Sequence, residues 1–275
     1  MSNVRVSVIV PTYNRADLLP RALDSILSQT VNPHQVIVVD DGSTDETKDA
    51  VSKGYPCVEY IRQANKGVSA ARNLGIGKST GDWVAFLDSD DEWLPAKLEI
   101  QSRRFQDDVM LVHSDEIWIR NGVRVNAMNK HRKSGGDLYE RCLPMCVISP
   151  SAAVIRRSLF ECVGLFDESL PACEDYDLWL RICSRFPVAY VDQPLIRKYG
   201  GHTDQLSRAH WGMDRFRVRA LVKMLDSGLI NDRQRQATLA MLQRKLEILT
   251  DGARKRGNES LLAEMEVLRN RYLGN

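Results

Sequence analysis

The N-terminal half of the chain repeats one pattern, in which a short apolar run rich in β-branched residues is followed by a helical segment. The apolar runs lie at residues 6–10, 36–39 and 83–87. Runs that are apolar at nearly every position are typical of strands covered on both faces of a parallel sheet. Helical spacing of apolar residues occurs between them, at residues 16–29, 44–51 and 69–76. The alternation predicts an α/β fold whose ligands bind at the carboxyl ends of the strands.

The pattern changes after residue 110. Asn121-Gly122 stands between two segments of alternating polarity, which predicts a two-residue hairpin and a sheet that becomes antiparallel or mixed. We also expect a strand at residues 149–156 and helices from residue 94, at 159–164 and at 176–186. Long helical patterns occupy residues 213–227, 232–255 and 260–272. The chain is therefore expected to divide into a domain at residues 1–207 and a helical C-terminal extension at residues 208–275.

Charge and composition exclude several classes of protein. The net charge is only +2, so nothing global indicates a nucleic-acid binder. The extension holds 14 Lys and Arg against 8 Asp and Glu, so either a solvated helical face or contact with an anionic surface or partner is expected there. The six cysteines lack metal-site spacing and are expected to be reduced and mostly buried. Without a signal or membrane-spanning pattern, we expect a cytoplasmic protein, peripheral at most on the inner face of the membrane.

The third apolar run ends in Asp88-Ser89-Asp90-Asp91-Glu92. Carboxylates crowded at a strand end repel one another, and a hard divalent cation that bridges to a phosphate neutralises them. This motif therefore indicates metal-assisted phosphate chemistry. The alternative is a solvated acidic turn that caps a helix from Leu94, since Asp or Ser suits an N-cap and Pro95 suits a first helical turn.

The first two runs also end in residues that can hold a nucleotide. Pro11, Tyr13 and Asn14 follow the first run, and Asp40-Asp41-Gly42-Ser43 follows the second. An aromatic ring can cover a base, a carboxylate can accept from a base or ribose, and a glycine permits close backbone approach. Each segment alone is also an ordinary turn. Three strand ends in register predict one nucleotide-binding crevice.

A P-loop is not present, although Gly75-Ile-Gly77-Lys78-Ser79-Thr80 resembles the end of one. Arg72 stands where the pattern requires its first glycine, and a helix rather than a strand is predicted before the loop. Gly75 and Gly77 are instead expected to end that helix as C-cap glycines. The first strand does not lead into GxGxxG, which argues against a Rossmann dehydrogenase.

Taken together, these motifs resemble those of a family 2 glycosyltransferase with the GT-A fold. The segments that carry the resemblance are VSVIVPTYNR (6–15), VVDDGSTD (38–45), NKGVSAARNLGI (65–76), FLDSDD (86–91), GLFDE (164–168), EDYDLWLR (174–181) and HTDQLS (202–207). The resemblance implies a mixed, mainly parallel sheet flanked by helices. It also implies inverting transfer of a sugar, expected from a UDP-sugar donor, to a hydroxyl of a saccharide or lipid-linked acceptor in cell-surface polysaccharide synthesis.

The resemblance further implies a role for individual residues. Asp175 would be the catalytic base, with Glu174 positioning it or the acceptor, and Asp90 and His202 would bind Mn²⁺ or Mg²⁺. The nucleotide-sugar donor would be held by Pro11, Tyr13, Asn14, Asp40, Asp41, Arg72, Asp88 and Ser89. Which of Asp40 and Asp41 faces the base is left open by the motif.

Simpler interpretations exist for some of these residues. Glu174-Asp175 could cap a helix whose macrodipole favours acids, and Arg72 could form an exposed ion pair. Trp93 and Trp179 could stack on a sugar, but we expect them to pack in the core or at its rim. A metal-dependent nucleotidyltransferase would also use paired acids, but typically adds a glycine-rich basic loop that the N-terminus lacks. A non-catalytic sugar-nucleotide-binding scaffold would be favoured by loss of the central acids, which are present. The C-terminal helices could support a homo-oligomer or membrane contact.

Overall fold

A computed structural model describes residues 4–126, 128–201 and 210–274. Within these residues, one mixed sheet contains nine strands. In chain order they are β1 (Val6–Thr12), β2 (Gln35–Asp40), β3 (Glu59–Arg62), β4 (Trp83–Phe86), β5 (Glu92–Trp93), β6 (Leu111–Arg120), β7 (Val123–Val125), β8 (Val154–Arg156) and β9 (Ala189–Gly200). Their order across the sheet is β3-β2-β1-β4-β8-β6-β9-β5, with β7 paired to β6.

Helices cover both faces of this sheet. They are α1 (Leu19–Leu27), α2 (Thr47–Gly54), α3 (Val68–Lys78), α4 (Lys97–Ser102), α5 (Tyr139–Cys142), α6 (Leu159–Val163), α7 (Glu174–Cys183), α8 (Asp214–Asp226), α9 (Asp232–Lys255) and α10 (Glu259–Leu273). Side chains on alternate faces of a strand enter different cores, so Val8 and Val10 pack beneath α1 whereas Ile9 packs beneath α3. Burial on both faces explains why the predicted strands are apolar throughout.

The pairing of the strands confirms the predicted division of the sheet. Strands β1, β2, β3 and β4 are parallel, so their carboxyl ends meet at one edge. Strand β8 is antiparallel to both β4 and β6. The turn between β6 and β7 uses Asn121 and Gly122 with φ of 50° and 76°, as the Asn-Gly hairpin prediction requires.

The three C-terminal helices belong to the same core as the sheet. Leu221 of α8, Leu246 of α9 and Met265 of α10 are buried in the cluster that contains Ile9. The hydroxyl groups of Tyr139 and Thr238 form a buried hydrogen bond of 2.8 Å between α5 and α9. The extension is thus packed against the second face of the sheet, while the expected boundary at residues 207 and 208 lies outside the described residues.

Three sequence predictions about local structure were wrong. Gly75 and Gly77 do not end a helix but lie inside α3, and a Cβ at Gly75 would meet Ile9 Cγ2 at 2.5 Å. The glycine therefore allows α3 to approach β1 closely. Residues 149–156 are not one strand, because Pro150–Ala152 forms a 3₁₀ turn before β8. The helix expected from Leu94 begins only at Lys97, after the short strand β5.

Other expectations concern burial. Trp93 and Trp179 are buried in the core, as predicted. All six cysteine thiols are free: three are buried and Cys146 is half-buried, but Cys57 and Cys162 are exposed. Within residues 4–126, 128–201 and 210–274, the helices are too short or too polar to cross a membrane.

Candidate active site

A pocket of about 670 Å³ opens at the carboxyl ends of β1, β2 and β4. The strand ends that form it are those predicted to converge there. Its wall also includes the start of α3 and two residues of β9. The lining residues are Pro11, Thr12, Tyr13, Asn14, Arg15, Asp41, Asn65, Gly67, Val68, Ala71, Arg72, Asp88, Ser89, Asp90, Asp91, Lys198 and Tyr199.

Eight of the predicted site residues lie on the wall of this pocket. They are Pro11, Tyr13, Asn14, Asp41, Arg72, Asp88, Ser89 and Asp90. Asp40, Glu174 and Asp175 do not line it, and His202 lies outside the described residues. The pocket therefore brings together most of the residues expected to hold a donor, and Glu174 contacts one of them, Arg72.

The end of β1 is held open by Asn14. This residue adopts a positive φ of 50°, a conformation that Asn tolerates better than most residues. Its backbone N–H donates to Ser43 Oγ at 2.8 Å, and its Oδ1 accepts from the Thr44 N–H at 2.7 Å. These bonds tie the end of β1 to the turn after β2, and they leave the neighbouring Tyr13 side chain 47% exposed at the pocket.

The two carboxylates after β2 have different surroundings. Asp40 turns away from the pocket, where it accepts from the Ser43 N–H at 2.8 Å and from the hydroxyl of Tyr60. Asp41 lines the pocket and accepts from the backbone N–H groups of Lys66 and Gly67 at 2.9 and 2.7 Å. Of the two aspartates, only Asp41 lines the pocket, which makes it the candidate for contact with a base.

The acidic loop after β4 consists of residues 88–92, and its three aspartates have different surroundings. Asp88 Oδ1 forms an ion pair with Arg72 Nη2 at 2.7 Å, and Asp90 Oδ2 lies 3.7 Å from Arg15 Nη1. Asp91 is buried and accepts from Ser151 Oγ at 2.7 Å and from the Tyr199 N–H at 3.0 Å. Burial and the nearby charge of Asp90 raise the pKa of Asp91. Asp91 thus anchors the loop to its surroundings, a role that the sequence did not predict.

Arg72 connects this loop to the helix that carries the expected base. Its guanidinium contacts Asp88 Oδ1 at 2.7 Å and Glu174 Oε1 at 2.6 Å. The side chain is only 3% exposed, so the alternative of an exposed ion pair is wrong. Burial and the adjacent Asp175 carboxylate raise the pKa of Glu174, whereas Arg72 opposes that rise. Glu174 and Asp175 are the first two residues of α7, where the macrodipole favours acids, but the N-cap is Cys173 and not either acid.

Asp175 is half-buried at the first turn of α7. Its Oδ1 accepts from the Tyr176 N–H at 2.7 Å, and its Oδ2 lies 3.0 Å from Cys146 Sγ. The preceding Cys173 has a φ of 63°, which is uncommon for a residue other than glycine. Burial and the charge of Asp175 raise the pKa of Cys146, so this thiol remains protonated and donates to the carboxylate. Nothing in the sequence around Cys146 indicates this contact.

Strand β9 supplies the wall that sequence reasoning missed. Lys198 and Tyr199 both line the pocket, and Lys198 Nζ donates to Ser149 Oγ at 3.1 Å. The Arg21 guanidinium lies 3.8 Å from the centre of the Tyr199 ring and donates to the carbonyl of Asp90. The only sequence signal for these residues was their position shortly before His202, in a segment without a chemical pattern.

The acidic loop fits a divalent cation shared with a ligand. Among the described residues, no three His, Cys, Asp or Glu side chains are close enough to hold a metal by themselves. Mg²⁺, however, is commonly held by one or two carboxylates together with substrate phosphates and water. Asp90 offers such hard oxygen ligands on the pocket wall.

Comparison with protein families gives a match over more than half of the chain. Residues 7–164 match the family model described as Glycosyl transferase family 2. This region contains all the strand ends that form the pocket except β9, and it stops before Glu174 and Asp175.

Similar proteins are named as glycosyltransferases. An uncharacterised glycosyltransferase of Rickettsia conorii is 31% identical over 211 residues, which are 73% of this chain and 34% of that protein. The uncharacterised glycosyltransferase YwdF of Bacillus subtilis is 30% identical over 193 residues, 68% of this chain and 71% of that protein. Three matched Rickettsia proteins are only about one third covered by the alignment, at 34%, 34% and 30% of their length.

Solved structures share the fold. The S. aureus TarS 1-349 structure in complex with UDP-GlcNAc gives a TM-score of 0.77 at 20% identity, covering 95% of this chain and 79% of that one. Mannosyltransferase PcManGT from Pyrobaculum calidifontis, in complex with GDP-Man and Mn²⁺, gives a TM-score of 0.62 at 20% identity. The match covers 96% of this chain and 80% of that one. The GT-A fold expected from the sequence is therefore confirmed. With the strand-end pocket and the family match over residues 7–164, the chain belongs to glycosyltransferase family 2.

Proposed function

We propose that this chain transfers a sugar from a nucleotide-diphosphate donor to a hydroxyl of a saccharide or lipid-linked acceptor, with inversion at the anomeric carbon and with help from a divalent cation. The observation that carries the proposal is the Arg72 bridge. It contacts Asp88, on the wall of the pocket, and Glu174, the neighbour of Asp175. One guanidinium thus fixes the expected donor pocket relative to the expected base.

The donor would lie along the strand ends. Tyr13 is exposed at the pocket and can cover a base, and Asp41 retains accepting capacity for a base or ribose group. A UDP-sugar is the proposed donor class. TarS, whose fold this chain shares, was solved in complex with UDP-GlcNAc, and PcManGT with GDP-Man, so a guanosine donor is the competing outcome.

Asp90, on the wall of the pocket, would hold Mn²⁺ or Mg²⁺ together with the diphosphate of the donor. When bound, the ion would supply Lewis-acid stabilisation of the negative charge on the leaving phosphate. His202, which the resemblance assigns to the same ion, lies outside the described residues.

Asp175 would accept the proton of the acceptor hydroxyl. An alcohol is a weak nucleophile, so a positioned base assists its attack on the anomeric carbon. The Tyr176 N–H and the Cys146 thiol hold the carboxylate in one orientation. A single displacement from the face opposite the diphosphate inverts the configuration. Synthesis of cell-surface polysaccharide is the proposed setting.

A ligand screen tests the donor class. The melting temperature of the full chain is measured with uridine and guanosine diphosphate sugars, each with Mn²⁺, with Mg²⁺ and with chelator, because a ligand that binds the native state raises apparent stability. We expect a shift only with a nucleotide sugar and a cation together. Donors that bind are then tested for transfer to saccharide acceptors, and the anomeric configuration of the product is determined by NMR. Failure of every nucleotide sugar to bind would contradict the proposal.

A further inference from the structure

Lys198 differs from the other basic side chains on the pocket wall in its contacts. Arg15, Arg72 and Lys198 are the basic side chains among the described residues that line the pocket. Arg72 is bound by two carboxylates and Arg15 lies 3.7 Å from Asp90. Within the described part of the chain, by contrast, no carboxylate oxygen lies within 4.0 Å of Lys198 Nζ.

The hydrogen bonds of Lys198 leave donor capacity unused. An ammonium group has three N–H donors. Among the described residues, Lys198 makes one hydrogen bond from this group, to Ser149 Oγ at 3.1 Å. Two N–H groups are therefore available on a side chain that lines the pocket.

The acids around Lys198 already have other partners. Glu116 is paired with Lys133 at 3.2 Å and accepts from Trp118 Nε1 at 2.6 Å. Asp91 accepts from Ser151 Oγ and from the N–H of Tyr199. Burial opposes the charged form of Lys198, but Glu116, Asp91 and Asp88 together raise its pKa above the usual value, so the ammonium group stays charged.

The position of Lys198 suits a phosphate. The residue precedes Tyr199, whose N–H binds Asp91 in the acidic loop, so its backbone is adjacent to the loop that contains Asp90. Lys198 also lines the same pocket as Asp88 and Asp90. It is therefore on the wall of the pocket that would hold the diphosphate of the donor, together with the expected cation ligand.

We propose that the Lys198 ammonium group donates hydrogen bonds to the sugar-linked phosphate of the donor and stabilises it as a leaving group. This inference rests on the proposed function. In the transfer step, the bond from the acceptor oxygen to the anomeric carbon forms while the bond from that carbon to the phosphate oxygen breaks. The electron pair remains on the phosphate, and the hydroxyl proton goes to Asp175. Lys198 keeps its proton throughout and interacts more strongly as negative charge develops on the phosphate.

Comparison of di- and monophosphates tests this role, because only the diphosphate carries the phosphate that Lys198 would contact. The dissociation constants of UDP and UMP, or of GDP and GMP if the wild type prefers guanosine, are measured by calorimetry at a fixed Mn²⁺ concentration. In Lys198→Met we expect the diphosphate to bind about tenfold more weakly or worse, since a hydrogen bond to a charged group is lost. The monophosphate should bind within about twofold of its wild-type value.

Two further variants and the turnover number sharpen the test. Lys198→Arg should restore most of the diphosphate affinity, whereas Lys133→Met, which removes the nearby lysine paired with Glu116, should leave the ratio of the two affinities unchanged. In Lys198→Met, kcat should fall in addition to donor affinity, because the contact strengthens in the transition state. If Lys198→Met does not fold, Lys198→Gln removes the charge while keeping a donor for Ser149.

The outcomes separate the two proposals. Equal weakening of di- and monophosphate in Lys198→Met, or no weakening of either, would overturn the role of Lys198 while leaving the proposed function in place. A wild-type protein that bound no nucleoside diphosphate with any cation would overturn the proposed function, and the role of Lys198 with it.

Discussion

Glu174 Oε1 lies 2.6 Å from Arg72 Nη1, although 102 residues separate the two in sequence. The second terminal nitrogen of the same guanidinium contacts Asp88. The first turn of α7 is thus fixed to the end of β4 through one planar group that can bind two carboxylates at once. Any displacement of this side chain would change the position of Asp175 relative to the pocket.

Removal of the Arg72 guanidinium should destabilise the protein strongly. Arg72→Met leaves Glu174 buried without its partner, and breaking such a pair costs about 3–5 kcal/mol. The free energy of unfolding in urea measures the loss. Arg103→Met is the control, because Arg103 forms an exposed pair with Glu99 and should cost less than about 1 kcal/mol. Equal losses in the two variants would show that the buried bridge does not stabilise the fold.

Asp175→Asn should remove catalysis without removing donor binding. A positioned general base contributes about 10²–10⁴ to the rate, and Asn keeps the shape of the side chain but cannot accept the proton. Initial rates of transfer and nucleotide affinity are measured on the same preparation. Asp192→Asn, a change at an exposed carboxylate, serves as the control and should leave both unchanged. A variant that lost nucleotide affinity in parallel with its rate would contradict the role as base.

Removal of divalent cations should abolish transfer. A chelator in excess is expected to stop the reaction, and added Mn²⁺ or Mg²⁺ should restore it. Asp90→Asn removes a charged oxygen ligand, so we expect it to raise the cation concentration needed for half-maximal rate by about tenfold or more. Titration of the initial rate with each cation measures this change. Full turnover in chelator would rule out the cation.

His113 should contribute a loss of stability in mild acid. Burial, with a further contribution from the charge of Lys133, lowers the pKa of this histidine to about 3. The unfolded chain therefore binds a proton near pH 6.5 that the folded protein does not, and stability falls as the pH drops from about 6.5 toward 3. At pH 5 this loss is about 2 kcal/mol relative to pH 7.

His113→Phe should flatten that dependence, because the ring cannot titrate and can still pack on Tyr190. The free energy of unfolding in urea is measured at pH 5, 6 and 7, and its slope against pH is compared between variants. His34→Gln, a change at an exposed histidine, is the matched variant for the loss of an imidazole. Parallel curves for wild type and His113→Phe would exclude His113 as the origin of acid sensitivity.

The C-terminal helices should prove necessary for stability. Leu246 of α9 is fully buried in the cluster that includes Ile9 of β1, and truncation of a buried leucine costs about 2–5 kcal/mol. Leu246→Ala is therefore expected to lower the urea midpoint clearly. Ile248→Ala, two residues away on the same helix but 52% exposed, should change stability by no more than about 0.5 kcal/mol. Small effects in both variants would mean that α9 is dispensable for folding.

Local sequence patterns predicted the features that depend on near neighbours. Apolar runs predicted the parallel strands, Asn121-Gly122 predicted the β6–β7 turn, and the residues after each run placed most of the pocket wall correctly. These signals are local: the periodicity of burial and the conformations that Asn and Gly permit act over a few residues. Gly75 shows the limit of such local signals. A glycine near the end of a helical pattern can end the helix or allow a close contact with another element, and here it lies inside α3 against Ile9.

Contacts between side chains that are distant in sequence could be identified only from the folded chain. Asp40 and Asp41 are identical in type and adjacent in sequence, yet only Asp41 faces the pocket, because Tyr60 and the turn at Ser43 bind Asp40. Arg72, Cys146 and Lys198 received their environments from partners on other elements. The pKa and the hydrogen bonds of a charged or thiol side chain depend on the groups within a few ångströms of it. In this fold those groups come from distant parts of the chain.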